Sequence, residues 1–288
     1  IGTGYTLTAT ADGLDSATSS NINVVTKSPT SGTISSNETW ALADSPYTVT
    51  GHVTVASGVT LTIEPGVTVK FDSGKVLEVE GTLVARGTST STVTFTSSAA
   101  SPAAGDWGYI KFTGSSVPAS FDGNGDYSSG SILEHCVVEY GGAYASTPSY
   151  LFVIHGASYI NSCTVRHNQG NAAIAGSLRP DWSSSDNYPV RITNSTITQN
   201  SGAAIAAVRN ATITGNTITY NSNSGINTGG NTAYSYITIS NNTIAHNSSD
   251  GIWGRVEQGT TFTITQNTIT DNSGNGITVD SQQDGNTP

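Results

Sequence analysis

The feature that most constrains this chain is a repeat. RITNSTITQNSGAAI (191–205), ATITGNTITYNSNSGI (211–226), YITISNNTIAHNSSDGI (236–252) and FTITQNTITDNSGNGI (262–277) are four copies of one unit. In each copy an apolar residue (Ile192, Ile213, Ile239, Ile264) precedes a polar turn, and a second follows it (Ile197, Ile218, Ile244, Ile269). A third comes after a Gly or Ala (Ile205, Ile226, Ile252, Ile277). Units this short cannot bury an apolar face alone and must stack on their neighbours. Members of the second column are 21, 26 and 25 residues apart, which suits one solenoid turn per unit. Alternation of Ile and Thr puts Ile inside and Thr outside each strand. The expected fold is therefore all-β: a single-stranded parallel β-solenoid with three short strands per coil.

The turns carry columns of their own. Asn216, Asn242 and Asn267 share one position before Thr-Ile, where stacked amides can bond each other and satisfy turn backbone groups; Ser195 continues the column. Two less regular coils, ILEHCVVEYGG and YINSCTVRHNQG, place Cys136 and Cys163 in that same column one coil apart. Neighbouring strands about 4.8 Å apart lie within the reach of a disulfide, so the pair is either bridged or two buried free thiols. Earlier in the chain, Val53/Val55, Leu61/Ile63, Val67/Val69 and Leu77/Val79 alternate with polar residues between glycines, giving first coils and a cap over residues 33–130. Regular coils follow over 131–281, the whole solenoid unit spanning 27–288. Residues 1–26 do not fit the period and read as a non-solenoid segment, such as the last strands of a truncated β-sandwich. With no Met in the chain, the expectation is a processed piece of a longer precursor.

Composition narrows the function classes. Only 10% of residues are charged, so solubility rests on hydroxyls and amides. A net charge of -10 with ten scattered basic residues argues against a nucleic-acid surface. No apolar run approaches the roughly 20 residues of a membrane span, and no stretch reads as a signal peptide. Sequons begin at Asn37, Asn194, Asn210, Asn241 and Asn247, each a candidate glycan acceptor in a secreted protein or a by-product of Asn/Thr-rich repeats.

The segments ETWALADSPYTVTGHVTVASGVTLTIEPGVTVKF and GDWGYIKF, with the NNTI-type repeats, resemble right-handed parallel β-helix repeat proteins of the pectin-lyase-like superfamily over residues 33–281. Members include pectin-type lyases, glycoside hydrolases, epimerases, adhesins and structural modules, so the resemblance implies the fold and leaves function open. The Asn-Thr-Asp, Asp-Asp, Gly-His-Gly and Arg-Ile-Lys motifs that a polygalacturonase-like hydrolase would imply are not intact. Gly51-His52 lacks the second Gly, and Arg191-Ile192 runs into Thr193.

Several constellations could carry chemistry. Insertions at 141–152, 175–189, 227–236 and 253–261 are expected to leave the coils at one corner and stack into a rim. That rim would gather Tyr144, Tyr150, Trp182, Tyr188, Tyr234, Tyr236 and Trp253 for stacking on sugar faces, beside Arg179, Asp181, Asp186, Arg255 and Glu257. Asp181, Asp186 and Glu257 are the candidate hydrolase carboxylates, and Arg179 or Arg255 the candidate lyase base. The alternative is that the aromatics only cover the flank. Asp122, Asn124 and Asp126 in FDGNGDYSSGS resemble the start of a calcium loop, although the twelfth position is Leu133; the alternative is an Asx-rich turn without metal. His246 and Asp271 neighbour each other in the column Tyr140, His167, Gln199, Tyr220, His246, Asp271, and Glu139 and Arg166 stack as an exposed ion pair. Thr196/Thr198, Thr217/Thr219 and Thr268/Thr270 form outward threonine columns broken by Ala245, resembling ice-binding solenoid faces.

The leading expectation is an extracellular structural or adhesive module of a surface protein. Its expected partners are a glycan or further copies stacked head to tail into a filament, and no cofactor is required. The alternative is a polysaccharide lyase or hydrolase at the rim.

Overall fold

The computed structural model of the chain describes residues 2–6, 8–10, 13, 15–19, 22–24, 30–142, 152–155, 159–176, 190–206, 210–228, 235–256 and 259–281. From Thr30 onward it winds as a right-handed-type parallel β-solenoid, the one helical element among the described residues being the short 3-10 turn Leu42–Asp44. Each coil contributes one strand to each of three faces. The first face is a nine-stranded sheet running from Glu38–Trp40 to Thr261–Thr265. The second and third faces are counted as one eighteen-stranded sheet because the long strand Tyr47–Val55 belongs to both.

The isoleucine columns are in register. Ile192, Ile213, Ile239 and Ile264 pair coil to coil on the first face. Ile197, Ile218, Ile244 and Ile269 do so on the second, and Ile174, Ile205, Ile226, Ile252 and Ile277 on the third. The Gly that opens the third strand is a matter of space. A Cβ on Gly225 would lie 2.6 Å from Ile244 Cγ2, and one on Gly251 would lie 2.5 Å from Ile269 Cγ2. Toward the N-terminus the core is aromatic: Trp40, Tyr47, Phe71, Phe95 and Trp107 are all buried. Trp40 stacks on Tyr47 at 4.9 Å between centroids, and Phe71 on Trp107 at 4.2 Å.

Two corners turn through left-handed residues. Between the first and second faces these are His135, Ser162, Asn194, Gly215, Asn241 and Gln266; between the second and third they are Tyr140, His167, Gln199, Tyr220, His246 and Asp271. Behind each runs a ladder. At the first corner, Asn216 N and Nδ2 both donate to Asn242 Oδ1 at 2.9 Å, and Asn242 repeats this onto Asn267. Above them, Cys163 N donates to Ser195 Oγ at 3.0 Å and Ser195 N to Asn216 Oδ1 at 2.9 Å, so the cysteines occupy the expected column. At the second corner the rungs are Asn168, Asn200, Asn221, Asn247 and Asn272, each amide bonding the next at 2.9–3.0 Å. Buried amides are tolerated here because almost every donor and acceptor is used.

The expectation that all long insertions share one corner is corrected. Residues 141–151 follow the second-face strand Cys136–Glu139 and precede the third-face strand Phe152–His155. The insertion before Val190–Thr193 instead follows the third-face strand Ala172–Ala175, as do those before Tyr236–Ser240 and Thr261–Thr265 in their coils. Matching copies by their Gly-Ile ends hid this, because the first insertion lies before that landmark and the others after it. Near the start, Gly2–Tyr5 pairs antiparallel with Ile22–Val24 and Thr8–Ala9 with Ala17–Thr18. The parallel ladder begins with Thr30–Ile34 against Tyr47–Val55. In the last described coil Ile277 is 46% exposed and Val279 51%, with Phe262, Ile264 and Ile269 only partly covered.

Candidate functional site

The second corner carries a groove. A left-handed backbone suits Gly, Asn or Asp, and large side chains there carry a steric cost. This corner nevertheless places Tyr, His, Gln, Tyr and His in succession before Asp271. Adjacent coils lift these planar groups by about 4.8 Å each, so they stack along the axis. Tyr140 lies on His167 at 5.8 Å and 12° between planes, and Tyr220 on His246 at 5.0 Å and 13°. The ladder asparagines form the floor. An open depression of about 390 Å³ runs beside the column, lined by Pro102, Ala103, Tyr140, His167, Gln199 and Tyr220, among others.

The wall formed by residues 102–104 is tied down. Ser97 Oγ and Ala103 N both donate to Asp106 Oδ2, at 2.6 and 2.9 Å, and Gly105 N reaches Tyr140 O at 3.1 Å. Trp107 Nε1 donates to Glu139 O at 2.8 Å, anchoring the loop to the strand that leads into Tyr140. The groove thus offers phenol, imidazole and amide edges at coil spacing beside a fixed apolar wall, with Tyr220 59% exposed. This is chemistry for hydrogen bonding and ring contact with an extended polar ligand. Sequence reasoning aligned this column but weighed only the His246–Asp271 neighbours, whereas the ring partner of His246 is Tyr220. It missed the second asparagine ladder, whose signal is the Asn after His167, Gln199, Tyr220, His246 and Asp271, and the wall, which comes from a distant stretch of chain.

The other expected sites fare unevenly. Tyr144, Tyr150, Arg179, Asp181, Trp182, Asp186, Tyr188, Tyr234 and Glu257 lie outside the described residues. Tyr236 is 68% exposed at the start of a first-face strand, its N–H on Asn210 Oδ1 at 2.7 Å. Trp253 faces outward on the third face between Asn227 and Thr278, with Arg255 paired in register to Asp280. No cluster of three or more His, Cys, Asp and Glu placed to share a metal occurs among the described residues. In the loop of Asp122, Asn124 and Asp126, Asp122 Oδ1 accepts the N–H groups of Asn124 and Asp126, both at 2.9 Å. That is an Asx-capped hairpin turn, and a cation would compete with both bonds.

Outside this loop, Phe121 and Tyr127 pack on Tyr159, with Arg191 3.8 Å over the Phe121 ring and Arg86 5.2 Å over Tyr127. Burial and the Glu134 charge push the Tyr127 phenol up against the opposing pull of Arg86, burial being the larger cause. The Glu139–Arg166 pair forms at 2.9 Å, but Arg166 is 43% exposed, so its contribution is small. The threonine columns form as expected, with Thr198 and Thr219 hydroxyls 3.2 Å apart and Ala245 interrupting.

The cysteines are free thiols in this structure. Asn247 is fully buried, and its Nδ2 donates to Ile218 O and Asn272 Oδ1 with Ala245 O also within reach, so this fold has no room for a glycan there. Asn37, Asn194 and Asn241 are exposed, and Asn210 partly so.

A model described as a pectate-lyase-like β-helix domain matches residues 32–151, and one described as a right-handed β-helix region matches 152–288. No curated protein and no solved structure matches the chain.

Proposed function

Because the chain is a pectin-lyase-like β-helix repeat protein, we propose that it serves as a stiff extracellular structural and adhesive module whose contact site for a surface glycan is the groove at the second corner. The observation that carries this reading is the column Tyr140, His167, Gln199, Tyr220 and His246, held in left-handed backbone at successive coils. Strain retained at such positions motivates a search for a role in the side chains, because Asn or Gly would build the corner more cheaply. A low charge content supports contact through hydroxyls and amides.

The test is a screen of the purified protein against acidic and neutral polysaccharides, with and without calcium, recording binding and product release together. Binding without turnover that weakens at least tenfold in Tyr220→Ala and in His167→Ala is expected. Unsaturated or reducing-end products would overturn the reading in favour of a lyase or hydrolase. Binding that survives both substitutions would move the site away from this corner.

A further inference from the structure

The first ladder changes character between the two less regular coils. From Cys163 to Asn267 its coil-to-coil links are N–H···O bonds of 2.9–3.0 Å. One step earlier the link is Cys136 N to Cys163 Sγ at 3.4 Å, a weak bond to sulfur. Each thiol has two backbone carbonyls within reach of its single S–H, Ala85 O and Glu134 O at 3.4 Å for Cys136, Leu133 O and Asn161 O at 3.3 Å for Cys163. This joint therefore has the weakest coil-to-coil link among the described rungs of that corner.

We propose that Cys136 and Cys163 are a redox-closable staple across this joint: an oxidising environment converts the two thiols into an inter-coil disulfide. The residues immediately precede the paired Val137 and Thr164, so their backbones lie at parallel-strand spacing, within the range a disulfide spans. Both side chains are 1–2% exposed in the same inward column, which directs the reaction to each other and away from a second chain. With glutathione disulfide as oxidant the step balances. One thiolate attacks the glutathione disulfide and releases one glutathione; the second displaces the other and forms the Cys136–Cys163 bond. Two S–H bonds and one S–S bond are consumed, and one S–S bond and two S–H bonds are made. Burial pushes the Cys136 thiol up, with Cys163 beside it adding to the shift, so closing is slow and needs transient separation of the coils.

The native protein is incubated with glutathione disulfide or with dithiothreitol, then denatured and alkylated, and its intact mass and melting temperature are measured. The expected result is loss of both alkylatable thiols per chain in a monomer, with a higher melting temperature after oxidation. Closing a loop of this size should favour the folded state by on the order of a hundredfold. Cys136→Ser should show neither change. Two thiols remaining after prolonged oxidation, a lasting glutathione adduct, or a disulfide-linked dimer would each overturn the proposal. So would a disulfide that leaves the melting temperature unchanged. None of these outcomes depends on glycan binding.

Discussion

The two halves of this solenoid hold register by different means. Before residue 131 every left-handed position among the described residues is a glycine, and the buried rings Trp40, Tyr47, Phe71, Phe95 and Trp107 fill the core. From His135 onward most left-handed positions carry side chains, the core narrows to aliphatic columns, and buried asparagines link successive coils. Aromatic volume fixes spacing by shape, and one large ring touches many neighbours. Ladder amides fix it by direction, because each rung fits only if the next is one coil away. The first device tolerates coils of uneven length; the second demands uniform corners and leaves length variation to the loops.

Substitutions can break this contrast. The largest effect is expected for Trp107→Ala, which removes a buried ring stacked on Phe71 and the bond to Glu139 O. A loss of roughly 3–5 kcal/mol in urea unfolding is anticipated, and a loss under about 1 kcal/mol would refute the shape account. Asn221→Ala comes next. It strips Asn200 N and Nδ2 of an acceptor and Ile197 O of a donor. Each buried group left unpaired costs roughly 1–3 kcal/mol, and hydrogen exchange should accelerate in the adjoining coils before the aromatic half. In the same coil, Ile218→Val should cost only about 0.5–1.5 kcal/mol by the same unfolding assay. If it matched Asn221→Ala, the ladders would be ornament and the aliphatic columns the true register device. Arg166→Ala should fall below about 1 kcal/mol, since its pair with Glu139 is partly screened by water. Smallest of all, millimolar calcium should leave the melting temperature within error, because Asp122 already caps its own turn; a clear rise would restore the loop as a metal site.

Sequence made the aliphatic half transparent and the groove opaque for one reason. Ile at fixed offsets repeats within a window, so Ile218 and Ile244 announce their column. Asn221 and Asn247 repeat just as regularly, yet an Asn before Ser reads as loop until its burial is known. The groove joins Tyr140 and Tyr220 to Pro102 and Ala103, residues far apart in sequence that meet only because coils stack. No local pattern carries that adjacency. The misplaced insertion at 141–151 has the same origin: chain length between landmarks is visible, but the corner it leaves from is a property of the winding.

The ladders also make the solenoid a vector. Successive rungs receive hydrogen bonds on Oδ1 from the coil before and send an Nδ2 hydrogen to the coil after, so the amide dipoles in both corners point the same way and reinforce one another. At the last described rungs, Asn267 and Asn272 send their Nδ2 groups back to Ile239 O and Ile244 O. A side-chain amide carries two hydrogens, so a second one at each of these rungs faces onward. Whatever prolongs the stack at that end must arrive acceptor first. Two such faces set against each other would oppose donor to donor.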